Sequence, residues 1–135
     1  MRILVAYDGS ESAKRALEQA AELAESDGRS VTVVSVAETL NLGRGGAHVV
    51  EEDEDRERKR ELAEAVKLLS ERGVKVRAVE RKGEAAAMIL DEAEKEHTEL
   101  IVIGTRGLNA AKRVLLGSVS TDVVHRAPCS VLVVR

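Results

Sequence analysis

The sequence predicts an α/β protein, an open five-stranded parallel sheet with helices on both faces, for which the strand order 3-2-1-4-5 is taken as an assumption from topology. Three observations predict it. Short apolar runs alternate with stretches whose apolar residues recur at three- and four-residue spacing, and this strand–helix alternation builds a parallel sheet through right-handed crossovers. The length of 135 residues suits one domain, spanning residues 1–135, with no repeat and no second unit. The composition, 44% apolar, supports a core that must be aliphatic, because Tyr7 is the only aromatic residue.

The elements follow in order. Residues 3–6 form a short apolar run that stops at Asp8-Gly9-Ser10, a buried strand followed by a turn. Ala13, Ala16, Leu17, Ala20, Ala21 and Ala24 then line one helical face, with Ser10 placed to cap its start and Gly28 its end. Residues 31–37, dense in β-branched side chains, are the second strand. Residues 39–50 contain Gly43, Gly45 and Gly46 and read as a loop. Residues 51–60 are nearly all charged and read as the solvated first part of a helix, whose apolar face (Leu62, Ala65, Val66, Leu69) ends near Gly73. Residues 74–79 alternate as a half-exposed strand. Residues 84–96 form a third helix with Ala86, Ile89, Leu90 and Ala93 inward. Residues 100–103 are the fourth strand. A short helix is expected around residues 109–115, another over 118–126, and a last strand over 130–135.

In an open parallel sheet, ligands bind beyond the carboxyl ends of the strands, where the strand order reverses. Two stretches with unusual chemistry lie at such ends. One is Asp8-Gly9-Ser10. The other is "GTRGLNAAKRVLLGSVS", residues 104–120. The order 3-2-1-4-5 makes strands one and four neighbours, so the two stretches face one crevice. Gly104 and Gly107 allow tight turns and a close approach of peptide N–H groups to a ligand. Gly117-Ser118 opens a helix, whose N-terminal N–H groups and dipole suit an anion, and Ser118 and Ser120 add hydroxyl donors. The same glycines also suit a chain that merely ends a strand and starts a helix. The pattern G-x-x-x-x-G-K-[ST] is absent, and so is G-x-G-x-x-G after the first strand.

Taken together, these stretches resemble the universal stress protein family. Gly104-x2-Gly107-x9-Gly117-Ser118 is similar to that family's ATP-binding signature, G-x2-G-x9-G-[ST]. "ILVAYDGSESAKRAL" resembles its first strand and helix, and "ELIVIGTRG" and "SVLVVR" resemble its fourth and fifth strands. The resemblance covers nearly the whole chain, apart from residues 39–60. It implies a Rossmann-like fold and a stress-linked regulatory protein that binds ATP, or AMP or ADP, with Mg²⁺ or Mn²⁺ on the phosphates. It places Ala6, Tyr7 and Asp8 at the end of the first strand, with Asp8 near the ribose, phosphates or metal. Val36 would meet the adenine through its backbone, and Ile103 would line the base or ribose pocket. Gly104, Gly107, Gly117, Ser118, Val119 and Ser120 would surround the phosphates. Two positions depart from the family. Tyr7 stands where small or proline residues are frequent, and "APCSV" replaces the commoner "APCPV".

The remaining residues set bounds on function. Asp8 also suits a turn or a helix cap. Arg106, Lys112 and Arg113 suit either phosphates or a solvated helix face. His48, His97 and His125 lack metal-ligand spacing, and Ser120 and His125, five positions apart on one helix, do not face each other. No general base or water-positioning residue stands out, so at most slow ATP hydrolysis is expected. The alternatives are a weak ATPase or a nucleotide or phosphate transferase, and a partner-binding module with a structural nucleotide. A net charge of −3 without a basic block speaks against nucleic acid. Cys129, alone and before a strand, cannot form an internal disulfide and reads as inert. No apolar run approaches the ~18 residues of a membrane span. The first ten residues are too polar for a secretory leader, and a cytoplasmic setting is expected. The apolar strand 130–135 at the sheet edge, together with the resemblance, predicts a homodimer paired through it. An unidentified protein partner is also expected.

Overall fold

The computed structural model describes residues 2–41, 48–49, 52–105 and 116–135. The elements run β1 (Arg2–Ala6), α1 (Glu11–Asp27), β2 (Ser30–Ala37), β3 (Leu40–Asn41), β4 (His48–Val49), α2 (Glu52–Glu71), β5 (Val76–Lys82), α3 (Ala85–Lys95), β6 (Leu100–Gly104), α4 (Ser118–Arg126) and β7 (Ser130–Val134). Five strands form one parallel sheet in the order β5-β2-β1-β6-β7, which is the predicted 3-2-1-4-5. The short helix expected around residues 109–115 lies outside the described residues.

Period-two alternation along β1 divides the core between the two faces of the sheet. Ile3, Val5 and Tyr7 join the cluster under α1 and α2, and Leu4 and Ala6 join the cluster under α3 and α4. The face of α1 is almost entirely alanine, so the helix lies close to the sheet. Ala16, Ala20 and Ala21 are fully buried. Ser10 caps α1 by accepting from the Ala13 N–H at 3.2 Å, and Gly28 ends it in the left-handed region at φ 61°.

Three expectations need correction. Residues 39–50 include a short antiparallel ribbon, Leu40 opposite Val49 and Asn41 opposite His48. Two-residue strands are too short to show a period. Strand β5 runs from Val76 to Lys82, later than 74–79. Its apolar alternation stops at Val79, but Arg81 continues the strand by pairing with Glu92 and Asp91 of α3, both at 2.7 Å. The charged start of α2 is not wholly solvated. The side chains of Asp55 and Arg58 are only 21% and 12% exposed. Positions 55, 58, 62, 65 and 69 keep the three–four spacing of one helical face, so the buried stripe begins earlier than its apolar residues do.

Candidate functional site

The carboxyl ends of β2, β1 and β6 form a notch. Ala6 is opposite Val34, so β2 runs three residues past the end of β1. On the other side Val5 is opposite Val102, and Ile103 and Gly104 continue beyond that pair. Val36 therefore overhangs the end of β1 on one flank and Ile103 stands on the other. Both belong with Ala6 to the face covered by α3 and α4, where Val119 also packs.

The turn after β1 is built by local hydrogen bonds. Asp8 Oδ1 accepts from the Ser10 N–H at 2.9 Å, and Gly9 between them has φ 80°. Asp8 is thus a turn-forming residue at the mouth of the notch. Among the described residues, no cluster of three or more His, Cys, Asp or Glu side chains could hold a metal ion.

The second stretch is tied at both ends. Leaving β6, the Thr105 N–H donates to the Val134 carbonyl at 2.9 Å. The Thr105 carbonyl accepts from the Gly117 N–H, and from the Ser120 hydroxyl at 2.8 Å. Ser120 is 3% exposed and its hydroxyl also approaches the Gly117 carbonyl at 3.1 Å. Its proton is therefore used inside the protein, to hold the start of α4 against the end of β6. Gly117 is the N-cap of α4 at φ −75°, and among the described residues no side chain caps that helix. The first N–H groups of α4 carry the usual partial positive charge of a helix start.

The predicted residues fall into three groups. Ala6, Asp8, Val36, Ile103, Gly117, Ser118, Val119 and Ser120 lie on elements that end or begin at the notch. Arg106 and Gly107, with Lys112 and Arg113, lie outside the described residues. Gly104 and Tyr7 have other immediate surroundings. A Cβ on Gly104 would come 2.7 Å from the Ser12 carbonyl carbon and 2.8 Å from the Ala13 nitrogen, so its bareness admits the first turn of α1. Tyr7 packs under α1 and α2, away from the group around Ala6. It lines a polar cleft of about 500 Å³ together with Gly9, Lys14 and the α2 residues Glu57, Arg58, Arg60, Glu61 and Glu64. Burial, then the charges of Glu64, Glu61 and Asp8, push its phenol above the usual tyrosine range.

Sequence reasoning missed Thr105 and Glu61. Thr105 acts through its backbone, which no side-chain pattern reveals. Glu61 is 5% exposed, and burial raises its carboxyl above the ordinary value despite the Arg58 guanidinium beside it. Its place on the inward stripe of α2 was the available signal.

The strand order and the two chain segments gathered at its point of reversal define an open doubly wound α/β protein with its candidate site at the carboxyl edge of the sheet. The model of the universal stress protein family matches residues 1–135. A universal stress protein of Thermus aquaticus is 40% identical over 136 residues, with 98% of this chain and 97% of that one covered. Universal stress protein YxiE of Bacillus subtilis is 33% identical over 145 residues, covering 99% and 98%. Among solved structures, the universal stress protein from Archaeoglobus fulgidus in complex with dAMP superposes with a TM-score of 0.76 at 31% identity, covering 100% of this chain and 98% of that one. The chain belongs to the universal stress protein family.

Proposed function

We propose that the protein is a stress-linked regulatory protein that binds an adenine nucleotide, ATP by preference, in the notch between β2, β1 and β6. The observation that carries this reading is the pinning of the α4 start to Thr105 at the end of β6, the strand paired with β1, whose own end leads into the Asp8 turn. It offers uncapped helix N–H groups where a phosphate chain would end. The dAMP complex of the 31% identical relative supports adenine as the base. On this reading residues 1–135 are one nucleotide-binding domain. The backbone of Val36 meets the base, Ala6 and Ile103 line the pocket, and Asp8 faces the ribose. Gly117, Ser118 and Val119 receive the phosphates, and Ser120 holds them in place from beneath.

A divalent cation fits only as a passenger on the phosphates. Mg²⁺ typically keeps several waters and takes one or two carboxylates with phosphate oxygens, and Asp8 can supply one carboxylate. The cation would neutralise phosphate charge. Asp8 next to a polyanion needs a cation or a hydroxyl between them. Hydrolysis is slow or absent on this reading, and the protein works in the cytoplasm through a partner that senses nucleotide occupancy. No helix among the described residues is long and apolar enough to cross a membrane.

The test is to denature the purified protein and identify any released small molecule by chromatography and mass. Calorimetric titration of the emptied protein with ATP, ADP and AMP follows. An adenine nucleotide in the released fraction, or saturable binding with ATP tightest, is expected. No release and no binding of any of the three, with or without Mg²⁺, would overturn the reading.

A further inference from the structure

Helix α2 packs on the sheet face opposite the group around Ala6, Val36 and Ile103, yet its charged first half reaches the end of β2, where Glu54 Oε1 accepts from the Glu38 N–H at 3.3 Å, and the turn that carries Asp8. A Cβ on Gly9 would lie 2.7 Å from both Cδ and Oε1 of Glu61. The glutamate carboxyl therefore fills the space that a side chain at position 9 would need. Gly9 sits at φ 80°, between Asp8 and the Ser10 N–H that Asp8 holds at 2.9 Å. Ser10 in turn caps α1. These contacts make residues 8–10 one unit, and Glu61 is the side chain packed against its centre.

The burial of Glu61 is not explained by packing alone. Arg58 Nη2 donates to Oε1 at 2.8 Å, but Oε2 and the Arg58 Nε are both buried without a hydrogen-bond partner among the described residues. Buried, incompletely satisfied polar groups are costly, and an aliphatic side chain of similar size would fill the space at less cost. The other charged or titratable groups around Glu61 are Glu57, Arg60 and Glu64 on α2, Lys14 on α1, and Tyr7 and Asp8 from the end of β1. We propose that Glu61 is a positioning residue: with Arg58 holding its carboxyl, it braces the Gly9 turn from α2 and so sets the place of Asp8 at the notch. For nucleotide affinity this rests on the adenine-nucleotide reading of the notch. It gives the charged segment of α2 a role, because a ligand that engages Asp8 then also loads α2, and such coupling is reciprocal.

The experiment compares Glu61→Ala with Glu61→Gln in the full chain. Glutamine keeps the shape and an oxygen for Arg58. Glu61→Ala is expected to weaken ATP binding about tenfold by calorimetry, while Glu61→Gln stays within about twofold of the wild type. In nucleotide-free protein, the ¹⁵N–¹H resonances of Asp8, Gly9 and Ser10 are expected to move in Glu61→Ala and to keep their places in Glu61→Gln. Should Glu61→Ala fail to fold, Glu61→Asp withdraws the carboxyl by one methylene with its charge kept, and is expected to act in the same direction. Wild-type affinity and unmoved turn resonances in a folded Glu61→Ala or Glu61→Asp protein would overturn the proposal, as would equal losses in Ala and Gln. If the wild type binds no nucleotide, the functional reading fails by itself, and the resonances of the nucleotide-free variants still decide whether Glu61 braces the turn.

Discussion

Gly104 and Ser12 are in such close contact that a Cβ on the glycine would stand 2.7 Å from the serine carbonyl carbon. Ala13 N, at 2.8 Å from the same point, closes off the other escape. Both obstacles are backbone, so no rotamer change relieves them. Gly104→Ala is therefore expected to push α1 off β6 and to destabilise the fold by roughly 1–3 kcal/mol, the usual cost of overpacking a tight interior. Urea denaturation with an unchanged slope would measure it. A wild-type midpoint would mean that α1 shifts freely and that the close approach has no energetic weight.

This contact also shows what the sequence could and could not disclose. The strand–helix alternation, the caps at Ser10 and Gly28 and the helix start at Gly117 were legible, because apolar period and capping chemistry act locally, whereas the sheet order was an assumption from topology that the structure bears out. The reason for Gly104 was not. A glycine at a strand end suits a ligand or a neighbouring helix equally, and only the packing of α1, far away in sequence, decides. Gly117 has φ −75°, which any residue adopts, so the backbone there does not itself require a glycine. Glu61 and Arg58 were hidden in a run of charges, where composition outweighs the one-in-three or one-in-four rhythm that turns them inward.

Removing the hydroxyl that ties α4 to β6 should separate stability from binding. Ser120→Ala deletes the 2.8 Å bond to the Thr105 carbonyl, which keeps its bond from the Gly117 N–H. The expected loss in stability is about 1 kcal/mol, that of one ordinary hydrogen bond. Nucleotide affinity should fall severalfold, because the N–H groups of α4 lose their anchor. Calorimetry and thermal melts on the same sample check both, and an affinity equal to wild type would show the anchor to be dispensable for binding.

The carboxyl of Glu61 predicts a pH dependence of stability. Burial raises its pKa in the folded protein, so the native state holds this proton more tightly than the unfolded chain does. The contribution favours folding below the ordinary glutamate value, about 4.3, and is lost as pH rises through the raised folded value. Glu61→Gln cannot ionise. Its stability relative to wild type should therefore improve as pH is raised from about 4 towards neutrality. Urea melts across that range test this, and curves that stay parallel would show that Arg58 already offsets the burial in full.

A homodimer through β7 is expected in solution. Among the described residues strand β7 pairs with β6 on one side only, and Val131, Leu132, Val133 and Val134 are all half-buried rather than covered. An apolar edge of this kind invites a second strand, and two-fold pairing of two copies satisfies both. Light scattering at micromolar concentration should give twice the chain mass. Val133→Lys should shift it towards monomer with helical content kept. A wild-type monomer at that concentration would remove the edge from consideration as an interface.

Gly117→Val is expected to abolish ATP binding and leave the fold largely intact. The backbone there has φ −75° and ψ 170°, values that a β-branched residue adopts without strain. The variant therefore tests the space and not the conformation. Gly117 caps α4 with its backbone alone, so valine removes no side-chain cap, and the core strands do not depend on this position. What valine adds is bulk at the start of α4, where phosphate oxygens would have to come within about 2.9 Å of the first N–H groups. Circular dichroism should barely change, and the melting temperature should fall by no more than a few degrees, on the order of the ~1 kcal/mol typical of a single substitution. Calorimetric titration with ATP is the deciding measurement. A folded Gly117→Val protein that binds ATP as the wild type does would mean that the glycine serves only the strand-to-helix passage, and that the phosphates, if bound at all, lie elsewhere.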